Sequence, residues 1–142
     1  MGFMQYRTNA LNDFSSVTKA KFYICKQCGN MAGLIDDKRV PLGCCGNEMT
    51  ELIPNSTGAS TEKHIPAVTV SGDSISVQVG SAEHPMEADH HITFVYVETK
   101  LGGQRKGLKV GEAPSAKFIM ADDVPVAVYA YCNLHGLWKT EV

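Results

Sequence analysis

The sequence predicts a mainly β protein in which a small cysteine-rich module precedes an antiparallel β-sandwich. Three observations predict this fold. Four of the five cysteines are clustered between residues 21 and 57, among glycine and asparagine residues that favour turns. From Glu62 onward, short runs alternate apolar and polar residues, with turn signals between them. No long run with helical periodicity accompanies these runs, which favours a sandwich of short strands.

Length, charge and cysteine usage exclude several classes of protein. A chain of 142 residues can hold one ordinary domain and a small stapled module, but not two self-sufficient cores. The net charge of −2 gives no electrostatic reason to expect nucleic acid as a partner, and no apolar run approaches the roughly 18 residues of a membrane span. Residues 1–20 form a leader without a signal-peptide pattern, so we expect a cytoplasmic protein. In a reducing cytosol, clustered cysteines favour metal thiolates over disulfides.

The strands of the second domain follow from its alternating runs. Predicted strands cover residues 67–70, 74–79, 92–97, 117–120 and 126–131. In the third strand, Ile92, Phe94 and Tyr96 are expected on one face and the intervening residues on the other. Residues 101–107 are rich in glycine and basic residues and predict a turn. The segment 54–61, which precedes these strands, has the composition of a linker.

The clustered cysteines make a complete set of four thiolate ligands: Cys25, Cys28, Cys44 and Cys45. Cys25 and Cys28 are separated by two residues, a spacing that lets both bind one metal. Cys44 and Cys45 are adjacent, and we expect this to distort a tetrahedral site because neighbouring side chains point in opposed directions. Iron and zinc both remain open, since both accept four thiolates. A thioredoxin-like redox motif is disfavoured because no βαβ pattern surrounds it.

The fifth cysteine indicates a second site of different character. Cys132 precedes His135 by three residues, and the remaining histidines all lie in the same domain: His64, His84, His90 and His91. Most of them lie close to turn residues or strand ends, where the loops of a sandwich converge. Imidazoles with one thiolate suit a transition metal such as iron. Four nitrogens and one sulfur leave one octahedral position open for a small anion, with Lys63 nearby as a positive charge and Glu62 as a carboxylate that could close it.

These motifs resemble the desulfoferrodoxin family, the two-iron form of superoxide reductase, from about Lys21 to the C-terminus. The sequence FYICKQCGN at 22–30, with Cys44-Cys45-Gly46, resembles the desulforedoxin-like module of the family, which is related to rubredoxin. Three further segments resemble its active site: Glu62-Lys63-His64-Ile65-Pro66, His84-Pro85-Met86-Glu87 and Cys132-Asn133-Leu134-His135-Gly136.

The resemblance implies a domain organisation and two metal sites. It divides the chain into a leader of unassigned role (1–20), a desulforedoxin-like Fe(Cys)4 module (21–57) and an immunoglobulin-like β-sandwich, the superoxide reductase domain (58–142). It implies two iron ions per chain, with zinc as an alternative at the four-cysteine site. The implied ligands of the second iron are His64, His84, His90 and His135, with Cys132 as the axial ligand. Glu62 is implied to be an exchangeable sixth ligand and Lys63 to attract superoxide, whereas His91 falls outside both sets.

The function implied is the one-electron reduction of superoxide to hydrogen peroxide, which protects against oxidative stress. The resemblance further implies a rubredoxin as electron donor and a homodimer as the assembly, without a nucleic-acid or membrane partner. The alternative is a rubredoxin-like electron carrier in which the β domain is only a structural support. A zinc-ribbon interaction module is less favoured, because no basic, aromatic-interleaved stripe is present. A dismutase is also less favoured, because an electron-donating thiolate opposes the oxidation of superoxide.

Overall fold

The computed structural model describes residues 17–142, so most of the predicted leader, residues 1–20, lies outside the described part of the chain. The strands are β1 (Phe22–Ile24), β2 (Met31–Gly33), β3 (Gly43–Cys44), β4 (Asn47–Glu48), β5 (Thr50–Glu51), β6 (Pro66–Ser71), β7 (Ser74–Val79), β8 (Ile92–Thr99), β9 (Gly102–Gly107), β10 (Ser115–Ile119), β11 (Pro125–Cys132) and β12 (Gly136–Glu141). Between β5 and β6 lies the helix α1 (Thr61–His64). Within residues 17–142, no helix has the length and apolar character needed to cross a bilayer.

The described strands pair in four sheets, all antiparallel. A three-stranded sheet in the order β10–β7–β6 and a four-stranded sheet in the order β12–β11–β8–β9 form the second domain. The small sheets β2–β1–β5 and β3–β4 belong to the cysteine-rich module. The predicted mainly β fold, a small module followed by an antiparallel sandwich, is therefore confirmed.

The core of the sandwich lies between its two sheets. Ile75 and Val77 on β7 and Phe118 on β10 belong to the same buried cluster as Val95 and Val97 on β8. None of these side chains is more than 2% exposed. Burial of an aliphatic or phenyl side chain stabilises a fold by about 1.5–3 kcal/mol. This cluster makes the two sheets a rigid support for the loops at their ends.

The outer face of the four-stranded sheet is covered by the cysteine-rich module. Phe22 on β1 contacts Phe94 and Tyr96 on β8 and Tyr129 on β11, with ring centroids 5.6, 5.2 and 5.5 Å apart. The buried carboxylate of Glu98 adds a polar link. It accepts hydrogen bonds from the Tyr129 hydroxyl at 3.1 Å and from the backbone N–H at residue 20, at 2.9 Å. Strands β8 and β11 are apolar on both faces because both faces are buried.

The five predicted strands are found as β6, β7, β8, β10 and β11, but the prediction for residues 101–107 was wrong. Most of this segment forms the strand β9, which pairs with β8 along its length. Its side chains are almost all exposed, as at a sheet edge with solvent beyond it. Backbone pairing to β8, rather than apolar side chains, defines this strand, so its composition resembles that of a turn.

The two faces of β8 also differ from the prediction at one residue. Phe94 and Tyr96 face the cysteine-rich module as a pair, but Ile92 belongs to the opposite cluster, between the sheets. The cause is an irregularity in the pairing with β11. Tyr131 pairs with Phe94, but the next residue, Cys132, pairs with Ile92. The extra residue on β8 shifts the alternation by one position, as β-bulges do.

The contacts of Phe22 predict that the module and the sandwich stabilise one another. The substitution Phe22→Ala should lower the free energy of unfolding by about 3 kcal/mol, because it removes a ring that packs against three others. Denaturant unfolding followed by the fluorescence of Trp138 measures this change. The control Ile35→Ala alters a side chain that is 96% exposed and should change the free energy by less than about 0.5 kcal/mol. Equal effects of the two substitutions would contradict the proposed packing.

Candidate metal centres

Helix α1 brings the first predicted histidine ligand to one end of the sandwich. His64 is 3% exposed, and its Nδ1 lies 2.6 Å from the carbonyl oxygen of Ser60. The helix lies against Gly80, where an added Cβ would be 2.6 Å from the carbonyl oxygen of Glu62. Glycine at this position permits the close approach of the two backbones. The ring of Trp138 stacks on His64 with centroids 5.0 Å apart, which further fixes the orientation of the imidazole.

The loop between β7 and β8 carries two further predicted ligands. His84 is 2% exposed, its backbone N–H donates to the carbonyl of Val79 at 2.8 Å, and its Nδ1 lies 2.7 Å from the carbonyl oxygen of Pro85. His90 closes a tight turn with Glu87, in which each backbone N–H donates to the carbonyl of the other, at 2.9 and 3.2 Å. The loop therefore has its own internal hydrogen bonds and presents both rings at the same end of the sandwich.

The turn between β11 and β12 carries the remaining pair. Cys132 ends β11 and is fully buried, and Gly136, with φ of 81°, starts β12 in a backbone conformation that favours glycine. The carbonyl oxygen of His135 accepts hydrogen bonds from the Thr57 hydroxyl at 2.9 Å and from the Trp138 indole N–H at 3.2 Å. The predicted linker thus supports the turn. Neither Thr57 nor Trp138 was predicted as a supporting residue. The contact of Thr57 with His135, and the stacking of Trp138 on His64, form only when distant segments come together.

Four of the predicted donors converge on one point. Their ligand atoms all lie within 4.8 Å of one another: those of His64, His90, Cys132 and His135. His84 lies alongside, with its Nε2 3.1 Å from the Nε2 of His64 and its ring centroid 4.6 Å from that of His90. We call these five residues the histidine–cysteine centre. The role of His84 as a ligand stays a prediction.

Hydrogen bonding shows that this centre has the chemistry of a metal site. Carbonyl oxygens only accept hydrogen bonds, so the Nδ1 atoms of His64 and His84 carry the protons. Their Nε2 atoms then present lone pairs to each other across 3.1 Å, and the Nε2 of His64 also lies 3.1 Å from the Nδ1 of His135, an arrangement that a cation between these nitrogens would stabilise. The Nε2 of His90 is buried and has no hydrogen-bond partner among the described residues. Imidazole nitrogens with one thiol are a donor set that fits iron.

Burial keeps two of these imidazoles in the form that binds metal. Desolvation lowers the pKa of His84 to about 4 and also lowers the pKa of His64, in both cases against a smaller opposing effect of the carbonyl bonded to Nδ1. Both rings are therefore neutral at pH 7, and a metal need not displace a proton from either nitrogen.

The two other predicted active-site residues lie on the same helix as His64. Glu62 and Lys63 are exposed, so both side chains can reach solvent beside the buried centre. His91 is not among the converging donors, and its Nδ1 lies 3.0 Å from the carbonyl oxygen of Glu87. The roles assigned to Glu62 and Lys63 stay predictions.

The four clustered cysteines form a second donor group, which we call the thiolate centre. The sulfur atoms of Cys25, Cys28, Cys44 and Cys45 all lie within 4.8 Å of one another. Cys28 and Cys44 are 3.6 Å apart at sulfur, and Cys44 and Cys45 are 3.9 Å apart. Cys45 has a φ of 53°, in the left-handed region, and Gly46 follows with φ of 76°. This backbone turn explains how two adjacent cysteines face one site, at the cost of an uncommon conformation for a residue with a side chain.

Acid–base behaviour also favours a cation between these thiols. The backbone N–H of Cys28 is the main cause that lowers the pKa of Cys25 to about 6. The side chain of Cys28, with those of Cys25 and Cys44, raises the pKa of Cys45 to about 12. The four thiols cannot all ionise at neutral pH without a cation, because the negative charge of each thiolate opposes ionisation of its neighbours. A bound metal ion removes that opposition, so this donor set fits iron held by four thiolates.

The fold and the two centres together define a class of protein: a tetrathiolate module joined to a sandwich with a histidine–cysteine site. A family model described as desulfoferrodoxin matches residues 56–141. A desulfoferrodoxin homolog of Archaeoglobus fulgidus is 39% identical over 118 residues, which cover 83% of this chain and 94% of that protein. The chain belongs to the desulfoferrodoxin family.

Similarity to solved structures covers both parts of the chain. The crystal structure of the superoxide reductase from Treponema pallidum matches with a TM-score of 0.74 and 31% identity, covering 87% of this chain and all of that one. By sequence alone, a superoxide reductase of Pyrococcus horikoshii is 30% identical over 99 residues, or 57% of this chain and 86% of that protein. The four cysteines of the thiolate centre, and the group of His64, His90, Cys132 and His135, match the two iron sites of the two-iron members of the family.

The pKa of His84 predicts a pH dependence for the metal-free protein. The folded pKa of about 4 is below the ordinary value of 6.5, so the unfolded chain takes up the proton first on acidification. The free energy of unfolding should therefore be unaffected by this group above pH 6.5 and should fall between pH 6.5 and pH 4. Urea unfolding in the presence of a chelator, at several pH values, measures the decline. His84→Asn should make it shallower, and identical slopes in the two proteins would contradict the assignment.

Proposed function

We propose that the protein is a superoxide reductase, which reduces superoxide to hydrogen peroxide with one electron and two protons. The observation that carries the proposal is the convergence of imidazole nitrogens and one buried thiol, with lone pairs that face one another at 3.1 Å. Proteins named superoxide reductase are similar to this chain. On those similarities, the chain is an oxidoreductase of this family.

Each residue of the centre has a role in the proposal. The histidine–cysteine centre would hold iron, which would supply the electron that superoxide accepts. His84 joins the ring nitrogens of the centre as the fourth imidazole ligand, because its Nε2 presents a lone pair beside that of His64. Cys132, fully buried at the end of β11, would hold the iron through its thiolate, which would donate charge to the metal and favour release of peroxide.

Glu62 and Lys63, the two residues of α1 that precede His64, have roles where superoxide enters the centre. Lys63 is exposed and lies next to His64 in the chain, so its charge raises the local concentration of superoxide. Glu62, one residue earlier on α1 and also exposed, would supply a carboxylate ligand to the iron when the metal is oxidised. Both protons come from solvent, to which this entrance is open.

The remaining features of the proposal rest on resemblance to the family. They are a division into residues 1–20, 21–57 and 58–142, a rubredoxin as electron donor, and a homodimer. A cytoplasmic location fits the clustered cysteines, since thiols stay reduced in the cytosol. The alternative function, an electron carrier with a structural β domain, gives no reason for metal donors in the sandwich. The group formed by His64, His90, Cys132 and His135 therefore favours the reductase.

Metal analysis combined with the visible spectrum tests the proposal. Purified protein should contain two iron ions per chain, and superoxide should produce a new sulfur-to-iron absorption band that disappears on reduction. His90→Ala should abolish that response and retain the spectrum of the thiolate centre. One iron per chain and no response to superoxide would reject the reductase and favour the electron carrier.

The exposed position of Lys63 predicts that the rate of reaction with superoxide depends on ionic strength. Lys63→Ala should lower the second-order rate constant with superoxide by about tenfold at low ionic strength. The difference should shrink as ionic strength rises past about 0.1 M, where charges are screened within about 10 Å. Pulse radiolysis measures this rate. The control Lys38→Ala removes the same charge from an exposed loop of the cysteine-rich module and should leave the rate unchanged. An unchanged rate in Lys63→Ala at low salt would refute the role.

A further inference from the structure

Asn133 lies between Cys132 and His135 in the sequence, but it is not one of the metal donors of the histidine–cysteine centre. It follows Cys132 directly, and its backbone N–H donates to the carbonyl oxygen of His91 at 3.2 Å. Its side-chain oxygen accepts a hydrogen bond from the backbone N–H of His91 at 2.9 Å. Its side-chain nitrogen donates to the carbonyl oxygen of Asp89 at 3.0 Å. One amide side chain therefore binds the residues on both sides of His90.

The loop that carries His90 depends on these bonds for its position. The backbone bonds of His90 itself go to Glu87, in the same turn, and so do not attach the turn to the sandwich. The bonds from Asn133 attach it to the end of β11, one residue beyond Cys132. The same region contains the irregular pairing of β8 with β11, where the regular ladder is interrupted. The side chain of Asn133 restores the connection across this interruption.

We propose that Asn133 is a positioning residue of the histidine–cysteine centre. Through the backbone at Asp89 and His91, it sets the distance between the ring of His90 and the turn that carries Cys132 and His135. The Nε2 of His90 is buried without a hydrogen-bond partner among the described residues, so no direct bond of that atom to the protein aims the ring. Asn133 therefore holds the ring of His90 in a position to bind a metal ion before the ion is present. This inference rests on the centre of the proposed function but concerns a residue that contributes no ligand atom.

The chemistry of the amide explains why asparagine suits this position. Its oxygen and nitrogen accept and donate in the same plane, which matches an N–H and a carbonyl that flank one residue. Asn133→Asp retains the acceptor for the N–H of His91 but turns a second oxygen toward the carbonyl of Asp89. Asn133→Asp therefore removes one of the two side-chain hydrogen bonds, and Asn133→Ala removes both.

The test is cobalt(II) binding by the purified, metal-free full chain, in competition with a chelator. Asn133→Ala should weaken binding at the histidine–cysteine centre by about 10- to 100-fold, and Asn133→Asp by less. The thiolate centre serves as an internal control, because its affinity and its cobalt spectrum should not change. The matched control Gln104→Ala removes an exposed amide that donates to the carbonyl of Ile119 at 2.9 Å, and it should alter neither centre.

Two further readouts separate positioning from a general loss of stability. The visible bands of cobalt at the histidine–cysteine centre should shift in Asn133→Ala, and amide hydrogen exchange at His91 in the metal-free protein should become faster. Wild-type affinity together with wild-type exchange in Asn133→Ala would overturn the inference. Failure of the wild-type protein to bind a second metal ion would instead reject the proposed centre, whereas exchange at His91 would still report whether Asn133 anchors the loop.

Discussion

The pairing of β8 with β11 is the constraint on which the rest of the structure depends. These central strands are buried on both faces, one against the three-stranded sheet and the other against the cysteine-rich module. Their end near Ile92 and Cys132 is where the loops of the histidine–cysteine centre meet. A single pair of strands therefore supports the core, holds the module through Phe22 and places the buried thiol.

Both centres gather groups that oppose one another unless a cation is present. In the thiolate centre, neighbouring sulfurs raise the pKa of Cys45 to about 12, and in the other centre the lone pairs of His64 and His84 face each other. Metal binding removes these costs, so its free energy adds to that of folding. The rest of the fold prepares the imidazoles of His64 and His84 for metal binding. The carbonyl oxygens of Ser60 and Pro85 fix their tautomers, and burial keeps both rings neutral.

Sequence reasoning was accurate where chemistry is carried by residue type and spacing. The four cysteines and the group of His64, His90, Cys132 and His135 converge in the two groups that the motifs predicted. It failed for residues 101–107, because β9 is defined by pairing with β8 and has exposed side chains. It also misplaced Ile92, since a bulge cannot be recognised from alternation alone.

Local patterns and rare residue types were enough to predict the β content of the protein, its two sets of metal donors and its family. The tertiary structure alone decided how the donors are aimed. Thr57 contacts the turn of His135 from the linker, and Trp138 on β12 stacks on His64. Asn133 lies within that turn, but its side chain binds the backbone at His91, 42 positions away in the chain. None of these contacts follows from spacing. The left-handed backbone at Cys45, which turns adjacent thiols toward one site, likewise exists only once the chain has folded around it.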